Sequence, residues 1–212
     1  MRKIIIFIFA IATAGYGVVL FKADLKGFFV KNKKYVEIRG AAHPSTYASM
    51  VITEDSELKD LAESLTSGCG SADNTCWFYR IYRYIMDEYV YIPDPGENTI
   101  TGVGLTIEKK GGDCEDLTIL MASLLENLNI RTYMALQPDH VYLYVCWLDK
   151  EHLHKMIVRE RAFRGYNFTS DYITEVEINS ERCIPVDPSD RGELSYPGQA
   201  EEGEQPIVIR YN

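Results

Sequence analysis

The chain has 212 residues, 46% of them hydrophobic, which is enough for one domain with a real core and a short appendage. A formal net charge of -9 argues against a nucleic-acid partner, because neutralising phosphates requires a basic face. The charged fraction of 25% is ordinary for a globular protein and excludes nothing more.

The first feature is the N-terminus. Arg2 and Lys3 precede an uncharged, mostly apolar run over residues 4–21, and Lys22 ends it. A helix of that length covers roughly 27 Å at about 1.5 Å per residue, close to the hydrocarbon thickness of a bilayer. Ala12-Thr13-Ala14 resembles a signal cleavage site, but the apolar run continues through Val18, Val19, Leu20 and Phe21. Residues 1–22 therefore read as an uncleaved membrane anchor in preference to a removed signal. Lys22, Lys26, Lys31, Lys33 and Lys34 after the span favour a cytoplasmic domain, whereas the signal-like start favours export. The expectation adopted is an extracytoplasmic domain.

Residues 23–55 read as a stalk or lead-in with a short apolar stretch over 47–52, and residues 56–212 as the catalytic domain. A first helix is expected over 56–65, capped by Ser56, with Leu58, Leu61, Ala62 and Leu65 on one face. After a polar loop over 66–75, a second helix carries Phe78, Ile81, Tyr82, Ile85, Met86 and Tyr89, and Pro93 and Pro95 end that region. Residues 96–112 read as a glycine-containing connection closing in Lys109-Lys110-Gly111-Gly112. A third helix follows with Leu117, Leu120, Met121, Leu124, Leu125 and Leu128 as its apolar stripe. The period then changes to two. Strands are expected over 131–137 and 140–148, and further on over 155–159, 172–178, 182–186 and 207–211. His152 and His154 fall in a charged turn over 149–155. Helices first and strands later, with short connections, predict an α+β fold with an antiparallel sheet. Glu201, Glu202 and Glu204 sit in a Gly/Pro-containing tail that reads as solvated coil.

The segment that carries chemistry is Gly111-Gly112-Asp113-Cys114-Glu115-Asp116. Asp113 is a good helix cap, and Cys114 then lies on the first turn, where unpaired N–H groups and the helix dipole favour a thiolate. The competing reading is a small buried residue, since free cysteine packs as a hydrophobe. A nucleophilic thiol needs a base. Of His43, His140, His152 and His154, only His140 stands at the start of a strand that could face the third helix. The other imidazole nitrogen needs an acceptor, and Asp187, ending 182–186 before Pro188, is the best placed. Asp139, Asp149 and Asp190 compete with it on position.

Taken together, Gly112-Asp113-Cys114-Glu115-Asp116, the leucine helix, Asn129-Ile130-Arg131, Asp139-His140-Val141 and Val186-Asp187-Pro188 resemble the transglutaminase-like superfamily over roughly residues 75–190. The resemblance implies a papain-like α+β core and acyl transfer through a thioester. It also implies Cys114 as nucleophile, His140 as general base and acid, and Asp187 as the group that orients it. The sequence departs from the family in the long interval between His140 and Asp187, with no clear tryptophan before the aspartate. The small size favours a peptidase or amidase acting on peptide or protein substrates over a crosslinking transglutaminase. The reading of another class is a non-catalytic peptide-binding or envelope-assembly module.

No cofactor or metal is expected: no paired CxxC exists, and loop acids such as Asp94 and Glu97 lack the ligand density of a calcium loop. Cys69-Gly70-Ser71 with Cys76-Trp77 imitates a papain nucleophile segment but is interrupted, and no histidine follows His154. Cys69 and Cys76 could instead close a small disulfide, or remain two buried thiols. Cys146 and Cys183 could be sheet neighbours, packed or bridged. With five cysteines, an exported domain keeps at least one free thiol. Asn167-Phe168-Thr169 is a glycosylation acceptor pattern.

The apolar run over 4–21 makes a direct prediction. The full chain should sediment with membranes and enter the detergent phase, and a chain beginning at Lys33 should stay in the aqueous phase. Intact full-length protein in the aqueous phase would remove the anchor.

Overall fold

The computed structural model describes residues 33–40, 43–96, 98–164, 173–190 and 205–211. In chain order these form β1 (Glu37–Arg39), α1 (Pro44–Met50), α2 (Ser56–Thr66), α3 (Asn74–Glu88), β2 (Val90–Tyr91), β3 (Thr99–Thr101), α4 (Val103–Lys109) and β4 (Gly111–Gly112). There follow α5 (Cys114–Asn127), β5 (Thr132–Gln137), β6 (His140–Cys146), α6 (Lys150–Arg164), β7 (Val176–Ile178), β8 (Glu181–Val186) and β9 (Ile207–Ile209). Among the described residues, six helices pack on a curled five-stranded antiparallel sheet of order β7-β8-β6-β5-β9, an α+β architecture. Two small pairs flank it: β1 with β3 antiparallel, and β2 with β4 parallel.

The core is organised around α5. Every residue of this helix except Glu126 is buried, polar ones included. Leu117, Leu120, Met121, Leu124 and Leu125 meet α3 through Phe78, Ile81 and Ile85, and meet the sheet through Met134, Leu136, Val141, Leu143 and Val145. Each such side chain contributes about 1.5–3 kcal/mol on leaving water. The sheet's other face carries a second cluster of Tyr133, Ala135, Tyr142, Tyr144, Cys146 and Cys183. The polar residues of α5 are matched one by one. Ser123 Oγ accepts from the Ile52 amide at 3.0 Å. Asn127 donates to the Ile52 carbonyl at 2.7 Å and accepts from the Asp55 amide at 2.9 Å. A buried polar group without such a partner would cost about 1–3 kcal/mol.

Those bonds correct the division at residue 56. Residues 44–55 pack as part of the domain: Tyr47, Met50, Val51 and Ile52 belong to the main core. Asp55, not Ser56, caps α2, accepting from the Leu58 amide at 2.9 Å. The connection over 96–112 holds a strand, a helix and the β4 pairing. The largest revision is at 149–159, read as a charged turn and a strand but folded as α6. Asp149 accepts from the His152 amide at 2.9 Å, and Leu153 and Ile157, four apart, are the buried side. Four-residue spacing is the helical signal, and the dense charges on the outer face obscured it. The apolar run over 4–21, the acceptor pattern at Asn167 and the acidic tail lie outside the described residues. Among the described residues no helix is long and apolar enough to cross a membrane.

Two disulfides are formed, Cys69–Cys76 and Cys146–Cys183, and Cys114 is the free thiol. Cys146 and Cys183 face each other directly across β6 and β8. They close 37 residues, against 7 for the other bridge. Chain-entropy scaling gives about 4 kcal/mol for the long loop and about 2 kcal/mol for the short one. Replacing Cys146 and Cys183 together by Ala should therefore lower the urea-derived stability by roughly twice as much as replacing Cys69 and Cys76. A larger loss from the short loop would contradict this ranking.

Candidate active site

Cys114 opens α5, with Asp113 as its cap. The turn that leads there depends on close approach. A Cβ on Gly112 would lie 2.5 Å from Asp116 Cβ, and one on Gly111 would lie 2.7 Å from the Val90 carbonyl oxygen. Glycine is the residue that lets β4 pass between β2 and the first turn of α5.

The helix is tied to β6 at a defined point. In β6 the even-numbered residues bond β5, as Cys146 N does to the Arg131 carbonyl at 2.9 Å. The odd-numbered ones bond β8, as Trp147 N does to the Arg182 carbonyl at 3.1 Å. The pairing of Leu143 with Val186, continued by two residues, sets Val141 opposite Pro188, which has no N–H to donate. The helix supplies the missing donor. Thr118 Oγ1 donates to the Val141 carbonyl at 3.1 Å, and the Val141 backbone also acts on the Cys114 thiol, favouring its charged form. The thiol is thus anchored beside the residue that follows His140.

The same register explains the second contact. Asp187 follows Val186 and so stands opposite Tyr142, on the face shared by His140 and Tyr142. His140 Nε2 and Asp187 Oδ2 are 2.5 Å apart. Asp187 is fully buried, and its Oδ1 accepts from the Ser189 amide at 2.8 Å, the Ser189 hydroxyl at 2.6 Å and the Asp190 amide at 3.2 Å. Burial pushes this carboxyl up, but the His140 bond and charge and the Ser189 donors outweigh it and hold it below its ordinary value. An ionised Asp187 makes Nε2 the protonated nitrogen and leaves the Nδ1 lone pair as the basic one.

The structure joins His140 to Asp187 and brings Cys114 to the start of β6, but no hydrogen bond links the thiol to the imidazole. The thiol donates to Glu115 Oε2 at 3.1 Å. The alternation of β6 points Val141 toward α5 and sets His140 in phase with Tyr142, whose ring is stacked 6.1 Å away on the opposite face.

The electrostatics also correct the expectation of a ready thiolate. Burial, then the Glu115 charge and hydrogen bond, push the Cys114 thiol well above its ordinary value, and the Val141 amide offsets this only in part. The acids flanking Cys114 are buried, not solvated: Asp113 is 6%, Glu115 4% and Asp116 4% exposed. Burial, followed by the Glu115 and Asp116 charges, pushes Asp113 up to about 9. Burial pushes Asp116 up to about 7 against bonds from Thr101. Among the described residues, Glu115 Oε1 is buried with no hydrogen-bond partner. Oxygens of Asp94, Asp113 and Glu115 lie within 4.8 Å of one another, a set that could hold a metal ion. Sequence spacing did not reveal this set, because Asp94 reaches it from the loop after β2. The run of three acids around one cysteine was the available signal.

No family model matches the chain, and no curated protein matches it. A solved structure from Cytophaga hutchinsonii, titled a "Putative Cysteine Protease", is similar at 20% identity with a TM-score of 0.35. The similarity covers 59% of this chain and 40% of that one.

The buried acids set a pH dependence. In the folded state the Asp113 carboxyl is pushed up to about 9, whereas in the unfolded chain it releases its proton near its ordinary value of 3.8. Between those values the folded state binds more protons, so this group's contribution to stability falls as pH rises. Asp113→Asn keeps a capping oxygen and removes the titration. Urea unfolding should show the variant gaining on the parent between pH 5 and pH 8 by more than about 1.4 kcal/mol, the equivalent of one pKa unit. A difference that stays constant with pH would refute the assignment.

Proposed function

We propose that the chain is a thiol-dependent acyl-transfer enzyme of the transglutaminase-like type, acting as a peptidase or amidase on peptide or protein substrates. Cys114 is the nucleophile, His140 the general base and then the acid, and Asp187 the group that fixes the imidazole. The observation that supports the reading is the His140–Asp187 pair, which leaves Nδ1 as the basic nitrogen one residue before Val141, to which α5 bonds through Thr118. Because the thiol is neutral at rest, the proton must leave as sulfur attacks. The thiol turns from Glu115 to the His140 Nδ1, sulfur bonds the carbonyl carbon, and His140 returns the proton to the departing amine. Water then releases the acyl group in a hydrolase, and an amine does so in a transferase.

A membrane-anchored domain facing an oxidising compartment fits this reading, since two disulfides persist only where thiols are not kept reduced. The rival, a non-catalytic binding module, draws on the thiol's bond to Glu115 and on the phase of His140.

Acylation of the thiol by p-nitrophenyl acetate, followed by intact mass and p-nitrophenol release, separates the two. Cys114→Ser should abolish labelling. His140→Ala should slow it by about 10²–10⁴-fold, the ordinary share of a general base. Asp187→Asn should slow it less, with Nδ1 no longer held as the basic nitrogen. Equal labelling of the parent and Cys114→Ser would end the proposal.

A further inference from the structure

We propose that the Tyr91 hydroxyl is the second donor to the oxyanion formed when Cys114 attacks a carbonyl, an assignment that rests on Cys114 being the nucleophile. The first donor is the Cys114 amide, one of the initial N–H groups of α5 that have no intrahelical partner. A second is needed here more than in most such sites, because the carboxyl groups of Glu115 and Asp113 crowd the same atoms.

The position of Tyr91 follows from β2. Val90 N donates to the Lys110 carbonyl at 3.0 Å and Ile92 N to the Gly112 carbonyl at 2.9 Å, fixing β2 parallel to β4 with Tyr91 opposite Gly112. Opposed residues send their side chains to the same face. The face is identified by Gly112, whose missing Cβ points at Asp116 on the first turn of α5. Ile92 lies on the other face, where its Cδ1 would meet a Cβ on Gly111 at 2.6 Å. Tyr91 therefore projects over the N-terminal end of α5. Consistent with that placement, its phenol is perturbed by burial first, then by Cys114, Asp113, Glu115 and Asp187. One ring thus senses the nucleophile and the carboxylate that holds His140.

The hydroxyl is free to act. Tyr91 is 48% exposed, and among the described residues its hydroxyl has no hydrogen-bond partner. The other phenols near the site are engaged: Tyr47 accepts from Asn98 Nδ2 at 3.1 Å, and Tyr142 and Tyr144 bond each other at 3.1 Å. Its shift is upward, so Tyr91 remains a neutral donor at any working pH. In the step itself sulfur bonds the carbonyl carbon, the carbonyl π pair moves onto oxygen, and the Cys114 N–H and Tyr91 O–H bind that oxygen without giving up their protons. Collapse returns the pair, breaks the bond to the leaving group, and leaves the acyl group on sulfur.

Two reagents isolate this role in the full chain. Acetylation by p-nitrophenyl acetate forms an oxyanion, whereas alkylation by iodoacetamide displaces iodide at a saturated carbon and forms none. Tyr91→Phe keeps the ring and removes only the donor. It should leave the alkylation rate of Cys114 within about twofold and slow acetylation by about 10²-fold, as loss of one such donor does elsewhere. A parallel fall in both rates would make Tyr91 a residue that positions the thiol and would overturn the assignment. Unchanged acetylation would overturn it as well. A parent protein that is alkylated but acetylated no faster than Cys114→Ser would show that the nucleophile reading itself had failed, and the assignment with it.

Discussion

The burial of α5 on all sides is the constraint on which the rest of the molecule depends. A surface helix can leave its polar side to water, but one enclosed by α3, the sheet and residues 44–55 cannot. Ser123 and Asn127 must be met, and the amide and carbonyl of Ile52 meet them. At the other end of the helix Thr118 and Cys114 need partners, and the Val141 carbonyl and Glu115 supply them. The helix that brings the thiol to the sheet is thus the helix that makes the core, and it bonds Ile52 and Asp55 at one end and β6 at the other.

The junction of α5 with β6 depends on a single absent hydrogen. Pro188 cannot extend the β8 ladder to Val141, so the strand's edge groups are left for the helix. The residue before that proline is Asp187, whose carboxylate is then collected by Ser189, Asp190 and His140. The break in the ladder and the fixing of the imidazole are therefore two consequences of one local sequence, Val186-Asp187-Pro188-Ser189.

Stability and chemistry pull apart around Cys114. Three acids on or beside one buried helical turn are costly, and burial and mutual repulsion push Asp113 and Asp116 upward as a result. They also hold the thiol protonated, which opposes the dipole of α5. The favourable helix terminus and the unfavourable carboxylates act on the same sulfur, and desolvation decides between them in favour of the thiol. Functional sites are where such local conflict is retained.

Much of the frame was legible from the chain. The i, i+3, i+4 stripe of α5, the period-two strand of β6 and the Lys109-Lys110-Gly111-Gly112 turn belong to local periodicity and turn chemistry, which neighbouring residues determine. Cys114, His140 and Asp187 were singled out as candidates by such signals together with the family resemblance, whereas the sequence left both cysteine pairs open as bridges or packed thiols and the fold bridged them. The tertiary structure decided what depends on residues distant in sequence. It showed that α5 is buried on every side, that 44–55 completes the core, and that Asp94 joins Asp113 and Glu115. It also set the sheet phase of His140 and the burial of the acids that turn a presumed thiolate into a thiol. Burial and through-space charge are sums over neighbours from separate segments, and no window of sequence contains that sum.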